Sequence, residues 1–134
     1  MRRARRAGWL ASAILALFLP HSAVAVDWST AQTIDVKMVE YAFEPKSFTF
    51  KKGVVYHLHL VNSGKEMHEF TSPAFFKAIR VRNPKVLNPD RTEIDVQPGQ
   101  SAELFFVAKT PGAYELTCSD HDWAGMVGDI TIAP

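Results

Sequence analysis

The sequence has 134 residues, with 15 Lys and Arg, 14 Asp and Glu, 47% hydrophobic residues and one cysteine. This length fits one domain, and a lone cysteine excludes a disulfide framework, a four-cysteine zinc site and an iron–sulfur cluster, which each need at least two thiolates. Four arginines and no acids lie in residues 1–25, so the remainder carries 11 positive and 14 negative side chains, a net charge of −3 that excludes a nucleic-acid binder.

The first 25 residues have the order of a secretory signal peptide. A run of arginines precedes the apolar stretch Gly8–Leu19, and Ala23-Val24-Ala25 supplies the small residues at a cleavage site. The apolar stretch is shorter than the roughly 20 residues that span a bilayer. We therefore predict export to the periplasm with cleavage after Ala25, a single domain over residues 26–134 and no membrane span in the mature chain.

The rest of the chain is divided into short alternating runs by Gly, Pro and Asn, which is typical of an all-β sandwich or barrel. The predicted strands are 34–39, 48–51, 54–61, 93–96, 102–107, 114–118 and 126–132. Ser72-Pro73 is a candidate start for one short helix near 73–80, with Phe75 and Ile79 stacked one turn apart. Residues 81–91 contain two prolines and are expected to be an irregular connection.

Strand alternation assigns faces to the residues that carry chemistry. Cys118 at the end of one strand and Met126 at the start of the next are both predicted to point inward. His57 and His59 are predicted to share an outer face. A single pair of this kind favours a surface position, and a weak second metal site is the alternative.

Four residues combine suitable chemistry with suitable placement. Cys118, His121 and Met126 form a Cys-x2-His-x4-Met motif, and His68 lies upstream in the loop region after Asn62. A thiolate, two imidazoles and a thioether are the ligands of a type 1 copper site, in which methionine is the weak axial ligand. Zinc is a poor fit because this set lacks a good fourth ligand. Strands position these ligands, so we expect the site to exist before metal binds.

Several further motifs accompany this set. They are Phe43-Glu44-Pro45, Gly53 before a strand, Asn62 and Gly64 before His68, Pro98-Gly99-Gln100-Ser101, Pro111-Gly112-Ala113-Tyr114, Cys118-Ser119-Asp120-His121 and Gly125-Met126. With them, residues 32–133 resemble the cupredoxins of the plastocyanin, pseudoazurin and azurin group. The resemblance implies a Greek-key β-sandwich of about eight strands with one copper ion at one end. It implies His68, Cys118, His121 and Met126 as ligands, with electrons passing at the edge of His121.

Two positions depart from the usual pattern of that family. Glu69 follows His68 where asparagine is usual, and Asp120 and Asp122 flank His121 where a proline often precedes the histidine. These carboxylates favour Cu(II), so we predict a low reduction potential. We also expect Glu69 and Ser119 to contact the metal-binding side chains without binding the metal themselves. Glu69 also leaves open a partly oxygen-ligated site that is not blue.

The predicted function is that of a periplasmic one-electron carrier, not an enzyme, that cycles Cu(II)/Cu(I). Its expected partners are redox proteins such as a c-type cytochrome or a terminal oxidase or reductase, met in transient complexes by a monomer. The alternative is a periplasmic copper-binding protein of homeostasis or tolerance. A thiol enzyme using Cys118 with a histidine base is disfavoured, because strand alternation buries the thiol and no oxyanion element is visible.

Overall fold

The computed structural model describes residues 23–134, so the predicted signal peptide falls almost entirely outside the described residues. In the described part, the strands are β1 (Gln32–Val39), β2 (Ala42–Glu44), β3 (Ser47–Lys51), β4 (Val55–Asn62), β5 (His68–Thr71), β6 (Ile79–Val81), β7 (Glu93–Val96), β8 (Ser101–Ala108), β9 (Gly112–Thr117) and β10 (Val127–Ala133). The α-helix α1 is Pro73–Lys77, and 3₁₀ turns cover Trp28–Thr30, Pro84–Val86 and Asp122–Ala124. None of the helices in this region is long and apolar enough to cross a membrane.

The strands form two five-stranded sheets. One has the order β2-β1-β4-β8-β6 and the other β3-β10-β9-β5-β7. The pairs β1–β4 and β3–β10 are parallel, and the other pairs are antiparallel. The predicted all-β fold is confirmed.

Strand alternation fills the space between the sheets. Along β4, Tyr56, Leu58 and Leu60 are buried, whereas the two intervening histidines are partly exposed, as the sequence predicts. Aromatic rings pack edge to face across the core, for example Phe50 on Phe106 at 5.1 Å between centroids. Such pairs add about 0.5–1.5 kcal/mol beyond the burial of their area, so the core fixes how the two sheets sit together.

The predicted helix near 73–80 is shorter in the structure. It ends at Lys77 because the backbone N–H of Ala78 bonds to the carbonyl of Phe75 and closes the last turn. Ile79 begins β6 and pairs with Ala108, so the predicted stacking of Phe75 on Ile79 within one helix is wrong. Ser72 precedes the helix, but its hydroxyl donates to the carbonyl of Glu115.

Three short strands are missing from the sequence-based prediction: β2, β5 and β6. The most consequential is β5, because His68 is its first residue and not part of a loop. All of the first three residues of β5 are buried, so no alternation marks it in the sequence. Pairing with β7 from His68 opposite Val96 holds this strand in the second sheet.

Candidate metal centre

Three of the four predicted ligands, His68, Cys118 and His121, come together at one end of the sandwich, and backbone hydrogen bonds hold Met126 next to Cys118 and His121. His68 opens β5, Cys118 directly follows β9, and Met126 directly precedes β10. Backbone bonds close the loop between the last two: Cys118 N–H donates to the Met126 carbonyl at 3.0 Å, and His121 N–H donates to the Cys118 carbonyl at 3.1 Å. Gly125 allows the final turn because its φ of 84° lies in the left-handed region.

Both imidazoles turn Nδ1 towards the cysteine sulfur. The sulfur of Cys118 lies 3.9 Å from Nδ1 of His68 and 3.3 Å from Nδ1 of His121. One ligand atom from each of the three residues lies within 4.8 Å of the other two. Cys118, His68 and Met126 are 0% exposed and His121 is 8% exposed. A soft sulfur with two imidazole nitrogens in a buried pocket is a donor set that fits copper.

The outer nitrogens of the two histidines face carboxylates. Oε2 of Glu66 lies 2.6 Å from Nε2 of His121, and Oε1 of Glu40 lies 3.4 Å from Nε2 of His68. The Glu40 contact lacks hydrogen-bond geometry, and Nε2 of His68 is the one buried side-chain nitrogen or oxygen in residues 23–134 without a hydrogen bond. A carboxylate at the far nitrogen of a ligating imidazole orients the ring and raises its basicity.

Backbone groups hold Glu40 in this position. Its Oε1 accepts from the N–H of Glu66 at 3.0 Å and from the N–H of Lys65. These bonds lower the pKa of the Glu40 carboxyl, the bond from Glu66 most. Gly64 is required here, because a Cβ at this position would overlap the Glu40 carboxylate and lie 3.0 Å from Nε2 of His68.

Glu69 lies directly beside the sulfur. It is 2% exposed, and its Oε2 accepts from the thiol of Cys118 at 2.8 Å and from the N–H of Asp120 at 3.4 Å. Its own N–H donates to the sulfur at 3.4 Å. Burial raises the pKa of the Glu69 carboxyl. The hydroxyl of Ser119, which we expected at the ligands, donates instead to Glu93.

The thiol is held in its protonated form when no metal is bound. Burial, followed by the hydrogen bond to Glu69, raises the pKa of Cys118 to about 12. Reactive catalytic cysteines have a lowered pKa, so this environment is opposite to that of a thiol nucleophile. Metal binding has to displace the thiol proton.

An aromatic rim covers His121 on the solvent side. The ring of Tyr41 lies 4.9 Å from the His121 ring and 6.0 Å from that of Trp123. Trp123 is 76% exposed, and its indole N–H donates to the carbonyl of Asp120 at 2.8 Å. This rim combines an exposed aromatic surface with the most exposed of the four predicted ligands.

Sequence reasoning missed Glu40, Tyr41 and Glu66 as parts of this site. Glu40 and Tyr41 immediately follow β1, far in sequence from every predicted ligand, and nothing in their local pattern marks them. Glu66 lies two residues before His68, so the sequence does place its charge near that histidine. The predicted pair His57 and His59 lies outside this centre, on the outer face of β4.

Comparison with known proteins places these features in context. The model of the cupredoxin-like domain matches residues 9–132. A dithionite-reduced auracyanin from the photosynthetic bacterium Roseiflexus castenholzii is 26% identical, with a TM-score of 0.59, and the match covers 78% of this chain and 99% of that one. An auracyanin B structure is 24% identical, with a TM-score of 0.60 and coverage of 81% and 94%.

A multicopper oxidase from Campylobacter jejuni is also similar in structure. It is 16% identical, with a TM-score of 0.59, and the match covers 76% of this chain but only 30% of the oxidase. At this identity the likeness concerns the fold alone. The same sandwich therefore occurs both as a whole small protein and as part of a larger one.

Proposed function

This chain belongs to the cupredoxin-like family, and from that premise we propose that it is an exported one-electron carrier with one type 1 copper ion on His68, Cys118, His121 and Met126. The observation that carries the proposal is the convergence of one ring nitrogen from each histidine and one sulfur within 4.8 Å in a buried pocket. Copper bound there supplies a centre that gains and loses one electron. The 26% identical auracyanin, which was reduced with dithionite, supports a reducible centre.

The role of the protein in this function is to hold the ligands rigidly and to exclude water from them. His68 and Cys118 are anchored by β5 and β9 of one sheet, and backbone hydrogen bonds between Cys118, His121 and Met126 close the loop. A site that changes little when its charge changes keeps the reorganisation energy small. We therefore expect the ligands of the metal-free and loaded proteins to superpose closely.

Glu69 takes part in loading the site. Its Oε2 is the acceptor of the Cys118 thiol proton at 2.8 Å, so it is placed to receive that proton when the sulfur becomes a ligand. Once the sulfur is a thiolate, a protonated Glu69 is the donor that satisfies it, and the raised pKa of the carboxyl favours this form.

Electrons are proposed to enter and leave at the rim of His121. This ligand is the most exposed of the four, and Tyr41 and Trp123 extend its ring to the surface. Acidic side chains surround the rim, with Glu66 in contact with His121 and Asp120 and Asp122 beside it in the loop. Charge complementarity then favours a redox partner with Lys and Arg at its docking face, such as a c-type cytochrome or a terminal oxidase or reductase.

The location follows from the N-terminal sequence. Arginines, the apolar stretch Gly8–Leu19 and the small residues to Ala25 support export to the periplasm, with residues 26–134 as the mature single domain. We propose that this domain acts as a monomer, because carriers of this size work through transient encounters.

Copper handling is a second candidate function. It is favoured by the buried Glu69 carboxylate 2.8 Å from the sulfur, which is able to become an oxygen ligand, and by Glu66 at the outer nitrogen of His121. In that case the same pocket stores or delivers copper, and electron transfer is secondary.

Spectroscopy of the mature chain with one equivalent of Cu(II) separates the two candidates. A carrier gives an intense blue thiolate-to-copper band, narrow copper hyperfine splitting and fast electron self-exchange. The variant Cys118→Ser is the control and loses the band. A red or nearly colourless product with slow self-exchange would overturn the carrier and favour copper handling.

A further inference from the structure

His57 and His59 stand side by side on the outer face of β4. The buried Leu58 separates them, so both imidazoles leave the strand on the same side. The ring centroids are 6.1 Å apart and the planes differ by 29°. Their side chains are 18% and 31% exposed, so solutes reach them. Two imidazoles on alternate residues of a rigid strand are positioned to share one ion.

Both rings are anchored through Nδ1 to oxygens of β1. Nδ1 of His57 lies 3.2 Å from Oγ1 of Thr33, and Nδ1 of His59 lies 2.9 Å from Oδ1 of Asp35. The register pairs the same residues, Thr33 with His57 and Asp35 with His59. When Nδ1–H donates to these oxygens, each ring offers the lone pair on Nε2; for His57 the proton that Nε2 shares with Glu103 has to leave when the ion binds. Metal-binding histidines have their second nitrogen held in this way, by a carboxylate or another oxygen.

Glu103 approaches the pair from β8, on the other side of β4. It lies opposite His59 in the register, and its Oε2 is 2.8 Å from Nε2 of His57. A nitrogen and an oxygen on one tetrahedral zinc ion are roughly 3.3 Å apart, given bonds of about 2.0–2.1 Å. A shift of about 0.5 Å between His57 and Glu103 therefore admits an ion between these two residues. The Glu103 side chain is 49% exposed, which leaves it free to make that shift.

We propose that His57, His59 and Glu103 form a second metal site, for divalent first-row transition metals such as Cu²⁺ and Zn²⁺. Two imidazole nitrogens and one carboxylate oxygen suit these ions, and Cu²⁺ binds most tightly in the usual order of affinities. Asp35 and Glu103 balance the charge of the ion. The site shares no residue with the buried centre, so it does not rest on the proposed function.

The surroundings keep the site ordered. The ring of His57 stacks on Phe105 at 4.3 Å with 5° between planes. The guanidinium of Arg82, one of the cations on this face, lies 5.6 Å from the centroid of Phe105. Arg82 follows β6, on the far side of β8 from β4, so the Phe105 ring separates its charge from the histidines. The arrangement is thus rigid and acidic at the metal position.

Titration of the mature chain that already holds one equivalent of Cu²⁺ tests the proposal. We expect one further equivalent of Cu²⁺ to bind, with wide hyperfine splitting in the paramagnetic resonance spectrum and no added thiolate band. Zn²⁺ should compete for this equivalent. His57→Gln and His59→Gln should each lower the affinity for this second equivalent at least tenfold. Thr33→Val should lower it about tenfold, because the hydrogen bond that anchors the His57 ring is lost. The thiolate band should stay unchanged in all three variants.

Two controls separate this site from the buried one. Glu115→Gln removes an exposed carboxylate from β9 of the other sheet and should leave the second equivalent unchanged. Cys118→Ser should abolish the thiolate band yet retain the surface equivalent. The proposal is overturned if no further equivalent binds, or if it persists in the double variant His57→Gln, His59→Gln. If the unmodified chain lacks the thiolate band, the proposed carrier function is contradicted, whereas the proposal of a second metal site is not.

Discussion

Oε2 of Glu66 lies 2.6 Å from Nε2 of His121, on the side of the ring that faces away from the cysteine sulfur. A negative charge at this nitrogen stabilises the more positive oxidation state of an ion held at Nδ1. Because Glu66 is half exposed, solvent and salt screen part of the effect.

Glu66→Gln should raise the reduction potential of the copper-loaded protein. The expected rise is on the order of tens of millivolts, because a partly exposed charge is worth about 1 kcal/mol and 1.4 kcal/mol corresponds to about 59 mV for one electron. Voltammetry measures it. Asp122→Asn is the matched control: its exposed carboxylate should produce a smaller rise. An unchanged or lower potential in Glu66→Gln would refute this role.

Glu69→Gln tests the carboxylate at the sulfur. If Glu69 is a proton acceptor and not a ligand, the visible band of the copper-loaded variant keeps its position. In the metal-free variant the pKa of Cys118 should fall, because the carboxylate raises it through its hydrogen bond and its charge. Faster alkylation by iodoacetamide at pH 8 reports that fall. Asp120→Asn is the control, and a changed colour in Glu69→Gln would instead identify Glu69 as a ligand.

The stability of the metal-free protein should depend on pH through Cys118. Its folded-state pKa of about 12 lies above the ordinary value of 9.0, so the folded state favours the protonated thiol. This contribution is complete below pH 9.0 and is lost as the pH rises towards about 12. Urea unfolding between these limits should show a steeper loss of free energy in the wild type than in Cys118→Ala. Parallel curves for the two proteins would contradict the prediction.

Gly64→Ala should disturb the site through Glu40. The new Cβ would overlap the Glu40 carboxylate, and relieving such overpacking costs about 1–3 kcal/mol of the free energy of unfolding. Thermal unfolding measures the loss. Adding Glu40→Ala should recover most of it, since the overlapping group is then gone. If the double variant is no more stable than Gly64→Ala, the clash lies elsewhere.

The local sequence pattern predicts much of this arrangement. Alternation along β4, β9 and β10 gave the buried faces, including the inward positions of Cys118 and Met126. Alternation failed for β5, because its first three residues are all buried, and His68 was expected in a loop. The start of the helix was predicted correctly, but the predicted helix is too long. The bond from the N–H of Ala78 to the carbonyl of Phe75 ends the helix where β6 begins to pair with β8.

The sequence by itself determined the all-β class and the set of soft and imidazole donors, because side-chain period and ligand chemistry are properties of neighbouring residues. Only the tertiary structure decided which groups lie around those donors. Glu40 and Tyr41 arrive from the end of β1, and Thr33, Asp35 and Glu103 reach the His57–His59 pair across strand pairings. Contacts between residues distant in the chain depend on sheet order and register, which no local spacing encodes.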